Sequence, residues 1–233
     1  MIMDFPFPVD IVRTARRKSA EIEIKGETVR VLVPDTLSEQ RIKDLINKRS
    51  VWIKQKLAIH ASTPEPKQRE YVNGETFPYL GRNYRLKLES SKEYSVKLKN
   101  GYLTVAYPRT DNDQKNHAII KRLLTTWYQS HAYDRLHEKT KRYAKIIGVN
   151  PNGIKIDDFR ARWGSCLDTG EVAFNWRIIL APHKIVDYIV IHELCHLIEH
   201  NHSPKYWKLV EGYCDDYQEC RRWLKYHGAS LHI

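Results

Sequence analysis

The chain has 233 residues, 42% of them hydrophobic and 29% charged, and its 39 Lys and Arg against 28 Asp and Glu leave a formal charge of +11. That balance excludes intrinsic disorder and allows one large folded domain or two small ones. No run nears the ~18 apolar residues of a membrane span, and the stretch from Met1 to Asp10 has no leader pattern. A soluble, cytoplasmic protein is expected, whose basic excess suits an anionic partner without choosing among nucleic acid, anionic substrate and anionic surface.

The first hundred residues read as strands with one helix among them, an α+β region rich in antiparallel pairing. Ala20 to Lys25 and Thr28 to Val33 flank Gly26 as a hairpin would. Thr36 and Glu39 stand three apart like a capping box, and Ile42, Leu45, Ile46, Ile53 and Leu57 recur at helical spacing, which predicts five or six turns ending before Pro64 and Pro66. From Tyr71 to Tyr107 strand-like pieces are punctuated by Gly74, Gly81 and Asn100-Gly101, the last a two-residue turn between Ser95–Leu98 and Tyr102–Val105.

Beyond the polar stretch Pro108 to Asp113 a long helical pattern runs through Ile119, Leu123, Trp127 and Leu136 to Gly148, and this change of character places a domain boundary between residues 110 and 111. Ile154 to Cys166 and Glu171 to Ile179 read as two strands joined by the turn-forming Asp168-Thr169-Gly170. Pro182 to His200 reads as one helix, Ser203-Pro204 as the N-cap and first residue of the next, and a last helix passes through Trp223 and Leu224. Cys166, Cys195, Cys214 and Cys220 form no CxxC pair and are too few for a disulfide framework, so reduced thiols are expected.

The sharpest signal is His192-Glu193-Leu194-Cys195-His196. Residues four apart share one helix face, so two imidazoles can converge on one Zn²⁺, while Glu193 can take a proton from an attacking water as general base. Other first-row divalent metals suit the same donors. A catalytic metal needs a third ligand. His200 would lie ~12 Å from His192 along a continuous helix and is read as a rim histidine. His202 follows Asn201, where the chain turns before Ser203-Pro204, and can swing back, so the metal set is His192, His196 and His202. His183, His227, Tyr206 and Tyr213 are weaker candidates for an oxyanion stabiliser, each more readily explained as structural.

Arg162-Trp163-Gly164-Ser165-Cys166, then Asn175, Pro182, Asp187 to Leu197, Asn201-His202-Ser203 and Tyr206-Trp207 together resemble the YgjP-like metallopeptidase-domain family, related to SprT-like and WLM-like proteins. The Arg13 to Lys18 basic run, Trp52-Ile53 and Tyr79-Leu80-Gly81 resemble its N-terminal half. The resemblance implies a zincin-like catalytic domain with a small antiparallel sheet beside the HExxH helix, and supports His202 as third ligand. Histidine six residues after HExxH also fits the metzincin pattern, but Glu199 stands where those enzymes have glycine. Trp163-Gly164-Ser165 is either an edge strand that accepts an extended peptide, or a core tryptophan followed by a glycine bulge.

Three functions compete. A zinc metallopeptidase acting on peptide or protein follows from the motif. A metal-dependent nucleotide phosphohydrolase follows from the same Lewis acid on a basic surface. A nucleic-acid-associated protease would use Arg13, Arg16, Arg17 and Lys18 on phosphates. A groove beside an unpaired strand would favour peptides, and a pocket ringed by Arg and Lys would favour nucleotides.

Overall fold

The computed structural model describes residues 5–15, 19–25, 28–62 and 69–233. They form two compact units, Met1–Glu65 and Pro66–Ile233. The fold is α+β, with three small sheets of mixed direction.

In the first unit β1 (Val9–Thr14), β2 (Glu21–Lys25) and β3 (Thr28–Pro34) form a sheet in the order β1-β3-β2, followed by α1 (Glu39–Ser62). Val29, Val31 and Val33 alternate along the central strand and are fully buried with Ile42, Ile46 and Ile53 of the helix, so period-two and helical patterning meet in one core. β2 pairs antiparallel with β3 as expected, whereas β1, which has no clear sequence signal, pairs parallel. The helix is capped by Ser38 rather than Thr36, since the Ser38 hydroxyl accepts from the Arg41 N–H at 3.4 Å. Arg13 donates to the carbonyls of Asp35 and Leu37, which ties it to this unit's own turn. The expected turn at Gly26, the basic residues Arg16, Arg17 and Lys18, and the prolines Pro64 and Pro66 lie outside the described residues.

The second unit begins with β4 (Thr76–Tyr79), β5 (Arg82–Ser90), β6 (Ser95–Lys99) and β7 (Tyr102–Tyr107), in the order β4-β5-β7-β6. The Asn100-Gly101 turn forms as expected, both residues taking positive φ (53° and 80°). β5 and β7 pair parallel, so this sheet too is mixed. Its buried Phe77, Leu86, Leu103 and Val105 lie in one hydrophobic cluster with Ile120, Leu124, Tyr128 and Leu136 of α2 (Asp113–Ile147). That shared core keeps this sheet and α2 within one compact unit, Pro66–Ile233. The Asn112 side chain caps α2, and Gly148 ends it in the left-handed conformation.

After α2 come β8 (Gly153–Asp157), β9 (Gly164–Cys166) and β10 (Glu171–Asn175), in the order β8-β10-β9, with β8 parallel and β9 antiparallel to β10. The strand expected over Ile154 to Cys166 is thus broken by a loop, because Asn175, itself 3% exposed, draws the Phe159 and Arg162 carbonyls onto its amide at 2.7 and 3.2 Å. The strand expected to reach Ile179 ends at Asn175, and Trp176–Leu180 winds as a 3-10 turn.

Then follow α3 (His183–Cys195), α4 (Pro204–Glu211) and α5 (Tyr217–His227). α3 stops four to five residues short of the His200 expected. The Leu197 and Ile198 N–H groups turn back to the Leu194 and Cys195 carbonyls, tightening the chain into a corner. Gly81 lets the β4–β5 turn press against the start of α3: a Cβ at that position would lie 3.2 Å from Pro182 Cα. Lys139 of α2 pairs with Asp187 of α3 at 2.5 Å.

At Gly148 φ is 81° and a Cβ would meet nothing within 4 Å, so Gly148→Ala costs backbone strain alone. The expected loss is about 1–2 kcal/mol of stability in the second unit, read from its urea unfolding midpoint.

Candidate metal centre

α3 carries His192, its C-cap His196 follows one turn on, and the corner after it returns His202 toward them. Ser203 caps α4 by accepting from the Tyr206 N–H at 3.2 Å, which fixes where the corner ends. His202 Nε2 stands 3.2 Å from Nε2 of both His192 and His196. Three nitrogens bound tetrahedrally at 2.0–2.1 Å would lie about 3.3 Å apart, so this donor set suits a small divalent ion. The three residues form a group able to hold a metal.

The protonation of the rings suits the same task. Burial, reinforced by His196, His202 and Arg221, pushes His192 down to about 3, and burial likewise lowers His196 and His202. All three imidazoles are therefore neutral at pH 7, the form that binds metal. His196 Nδ1 faces the Glu199 carbonyl at 3.1 Å, so its N–H points there and the lone pair stays on Nε2. Glu199, notable in the sequence only as a departure from metzincins, orients a ring of the triad through its backbone.

Aromatic residues hold the rings in place. Tyr206, fully buried, lies over His196 with ring centroids 4.4 Å apart, and its hydroxyl donates to the His192 carbonyl at 2.9 Å. That hydroxyl is spoken for by the end of α3, so Tyr206 is a positioning residue. Trp207 stacks on His202 at 5.3 Å, and the Arg221 guanidinium sits 4.4 Å from the Trp207 ring. Neither Trp207 nor Arg221 stood out by spacing. His183, Tyr213 and His227 do not line the cavities around the triad, whereas exposed His200 does line one, as a rim residue.

Glu193 is 4% exposed, and burial pushes its carboxyl up to about 8 against the opposing pull of the Arg162 guanidinium. A metal cation on the triad would pull it down again. Its side chain fills the space over Gly164: a Cβ there would come within 2.4 Å of Glu193 Oε1. The close approach permitted by this glycine is thus to the glutamate of the motif. Trp163 is half-buried and packs toward Gly228, and β9 runs on from it as the outer strand of its sheet.

A second group, Cys214, Asp216 and Cys220, also clusters. Its carboxylate accepts from both thiols, at 3.3 and 3.7 Å, and pairs with Lys184. Burial raises both thiols, Cys220 to about 11, so they stay protonated and the cluster serves to fasten the start of α5.

The helix that begins the HExxH sequence, a third histidine from the corner after it and an edge strand across the cleft together form one candidate metal centre. The chain belongs to the YgjP-like metallopeptidase domain family, whose model matches residues 18–227, and it is accordingly a hydrolase. It is also similar to the crystal structure of the metallopeptidase zymogen of Pyrococcus abyssi abylysin, at 20% identity and a TM-score of 0.35 over 38% of this chain and 91% of that one. No curated protein matches it significantly.

Replacing Tyr206 by Phe leaves the His192 carbonyl without its donor. An expected cost of about 1–2 kcal/mol follows, measurable by denaturant titration.

Proposed function

We propose that this protein is a zinc-dependent metallopeptidase in which His192, His196 and His202 hold the metal and Glu193 is the general base. The observation that carries the reading is the convergence of three neutral imidazoles beside a buried carboxylate, in a cleft walled by Gly164, Ser165 and Cys166 of an edge strand. A bound divalent ion supplies a Lewis acid for the scissile carbonyl and for an attacking water.

The chain's own residues supply the rest. In the β9–β10 ladder Trp163 and Leu167 bond to Asn175 and Glu171. By alternation, the N–H and C=O groups of Gly164 and Cys166 face away from β10, where an extended peptide can add as a further strand. Glu193, locked between α3 and the Gly164 α-carbon, removes a proton from water and delivers it to the departing amine. Tyr206, Trp207 and the Glu199 carbonyl keep the imidazoles aimed, so they need not reorganise during reaction.

One observation favours a second reading, nucleotide phosphoanhydride hydrolysis at the same metal. A cavity next to the cleft is lined by Arg160, Arg162 and Arg177. Release of phosphate or pyrophosphate from a panel of nucleoside triphosphates tests it. The edge strand beside the triad gives the peptidase reading precedence. No helix among the described residues is long and apolar enough to cross a membrane.

Glu193→Gln should retain stoichiometric metal by atomic absorption while losing about 10²–10⁴-fold in cleavage of a fluorophore-labelled unfolded protein. Undiminished cleavage would overturn the assignment. Chelation should abolish cleavage and zinc restore it. Gly164→Ala should bind metal as tightly as the parent yet lose most activity, since the methyl group displaces Glu193.

A further inference from the structure

The arginine-lined cavity has a volume of about 650 Å³, and three of its residues, Arg162, Trp163 and Leu224, also line the small cavity that contains His192 and Glu193. The two spaces therefore adjoin, with Arg162, Trp163 and Leu224 as their common wall. Arg162 and Glu193 both line the smaller of the two. Three arginines, Arg160, Arg162 and Arg177, and one acidic residue, Asp158, line the space, a formal net +2. Arg177 pairs with Asp158, and Arg162 touches the Ser165 hydroxyl at 3.2 Å and the Phe159 ring face at 4.8 Å. Arg160 is exposed and has no partner among the described residues.

We infer that this cavity is the enzyme's specificity pocket and takes a carboxylate: the side chain of a Glu or Asp in the peptide, within about two residues of the bond cut. The inference rests on the peptidase reading. Its position follows from the chain: Arg162 precedes Gly164 by two residues, and an extended strand rises ~3.3 Å per residue. Its chemistry follows from the guanidinium fork, which matches a carboxylate with two parallel hydrogen bonds. Its shape follows from the apolar walls, Phe159, Trp163, Leu224 and Leu231, which suit the methylene stem of an acidic side chain. Asp158 offsets one of the three positive charges, which favours a singly charged carboxylate over a triphosphate. No glycine-rich loop, the usual cradle for such a group, lines the space. The anchoring of the loop is itself built in, because buried Asn175 holds the Phe159 and Arg162 carbonyls and accepts from the Arg177 N–H.

The test walks a single Glu along an otherwise neutral decapeptide and compares each member with its Gln twin, using the full chain loaded with zinc. At one or two positions near the cut bond Glu should raise kcat/KM by about tenfold or more over Gln, as for a hydrogen-bonded charge pair. Arg160→Ala should erase most of that ratio, and Arg160→Glu should shift preference toward the Lys twin. Equal cleavage of Glu and Gln members at every position overturns the inference, as does a ratio unmoved by Arg160→Ala. A second arm measures calorimetric binding of the same peptides, and of a nucleoside triphosphate, to the Glu193→Gln chain. Tighter triphosphate binding that depends on Arg160 overturns it in favour of a phosphate site. If the Glu peptide binds through Arg160 but no peptide is ever cut, the carboxylate pocket stands and the peptidase reading falls.

Discussion

Nine of the thirteen residues of α3 are buried, Glu193 among them, so this helix has almost no freedom to turn about its own axis. The Ile185, Val186, Ile189, Val190 and Leu194 side chains fix its rotation within the core, and the two imidazoles and the carboxylate can then face only the cleft. Everything else at the site adapts to that helix. The Gly164 strand comes close because it has no side chain, the following corner brings His202 back, and α4 covers the remaining ring faces with Tyr206 and Trp207. A helix held this way exchanges adaptability for aim, which is what electrostatic preorganisation at a reaction centre demands.

The parts of this arrangement written locally were legible in the sequence. HExxH places its donors by helical period alone, Asn100-Gly101 fixes a hairpin by backbone conformation alone, and Ser203-Pro204 announces the start of α4. Features that depend on partners distant in the chain were not. The parallel pairing of β1 with β3 and of β5 with β7 has no local signature, since register between such strands is decided by the core they share. α3 reads on past Cys195 because Leu197 and Ile198 continue its apolar pattern, and it ends because the corner is needed to return His202. Gly164 was read as room for a substrate or a bulge, when what fills that room is a side chain 29 positions later. Asn175 gave no hint that it organises the loop from Phe159 to Arg162.

The basic excess of the chain also acquires a location. A charge of +11 spread over a surface says little about partners, and Arg13 shows why, being spent on two carbonyls of its own unit. Arg160, Arg162 and Arg177 differ in lining one hollow that shares a wall with the cavity of His192 and Glu193. Concentrated there, positive charge acts over a few ångströms on any group that enters the hollow, a range at which salt screens it poorly.

The contact between Glu193 and the bare α-carbon of Gly164 reaches beyond the reaction. Two residues far apart in the chain share one volume, so Gly164 cannot gain a side chain while Glu193 keeps its place. The two positions are thereby coupled: any residue larger than glycine at 164 must displace the Glu193 side chain, so what position 164 tolerates is set by what stands at 193.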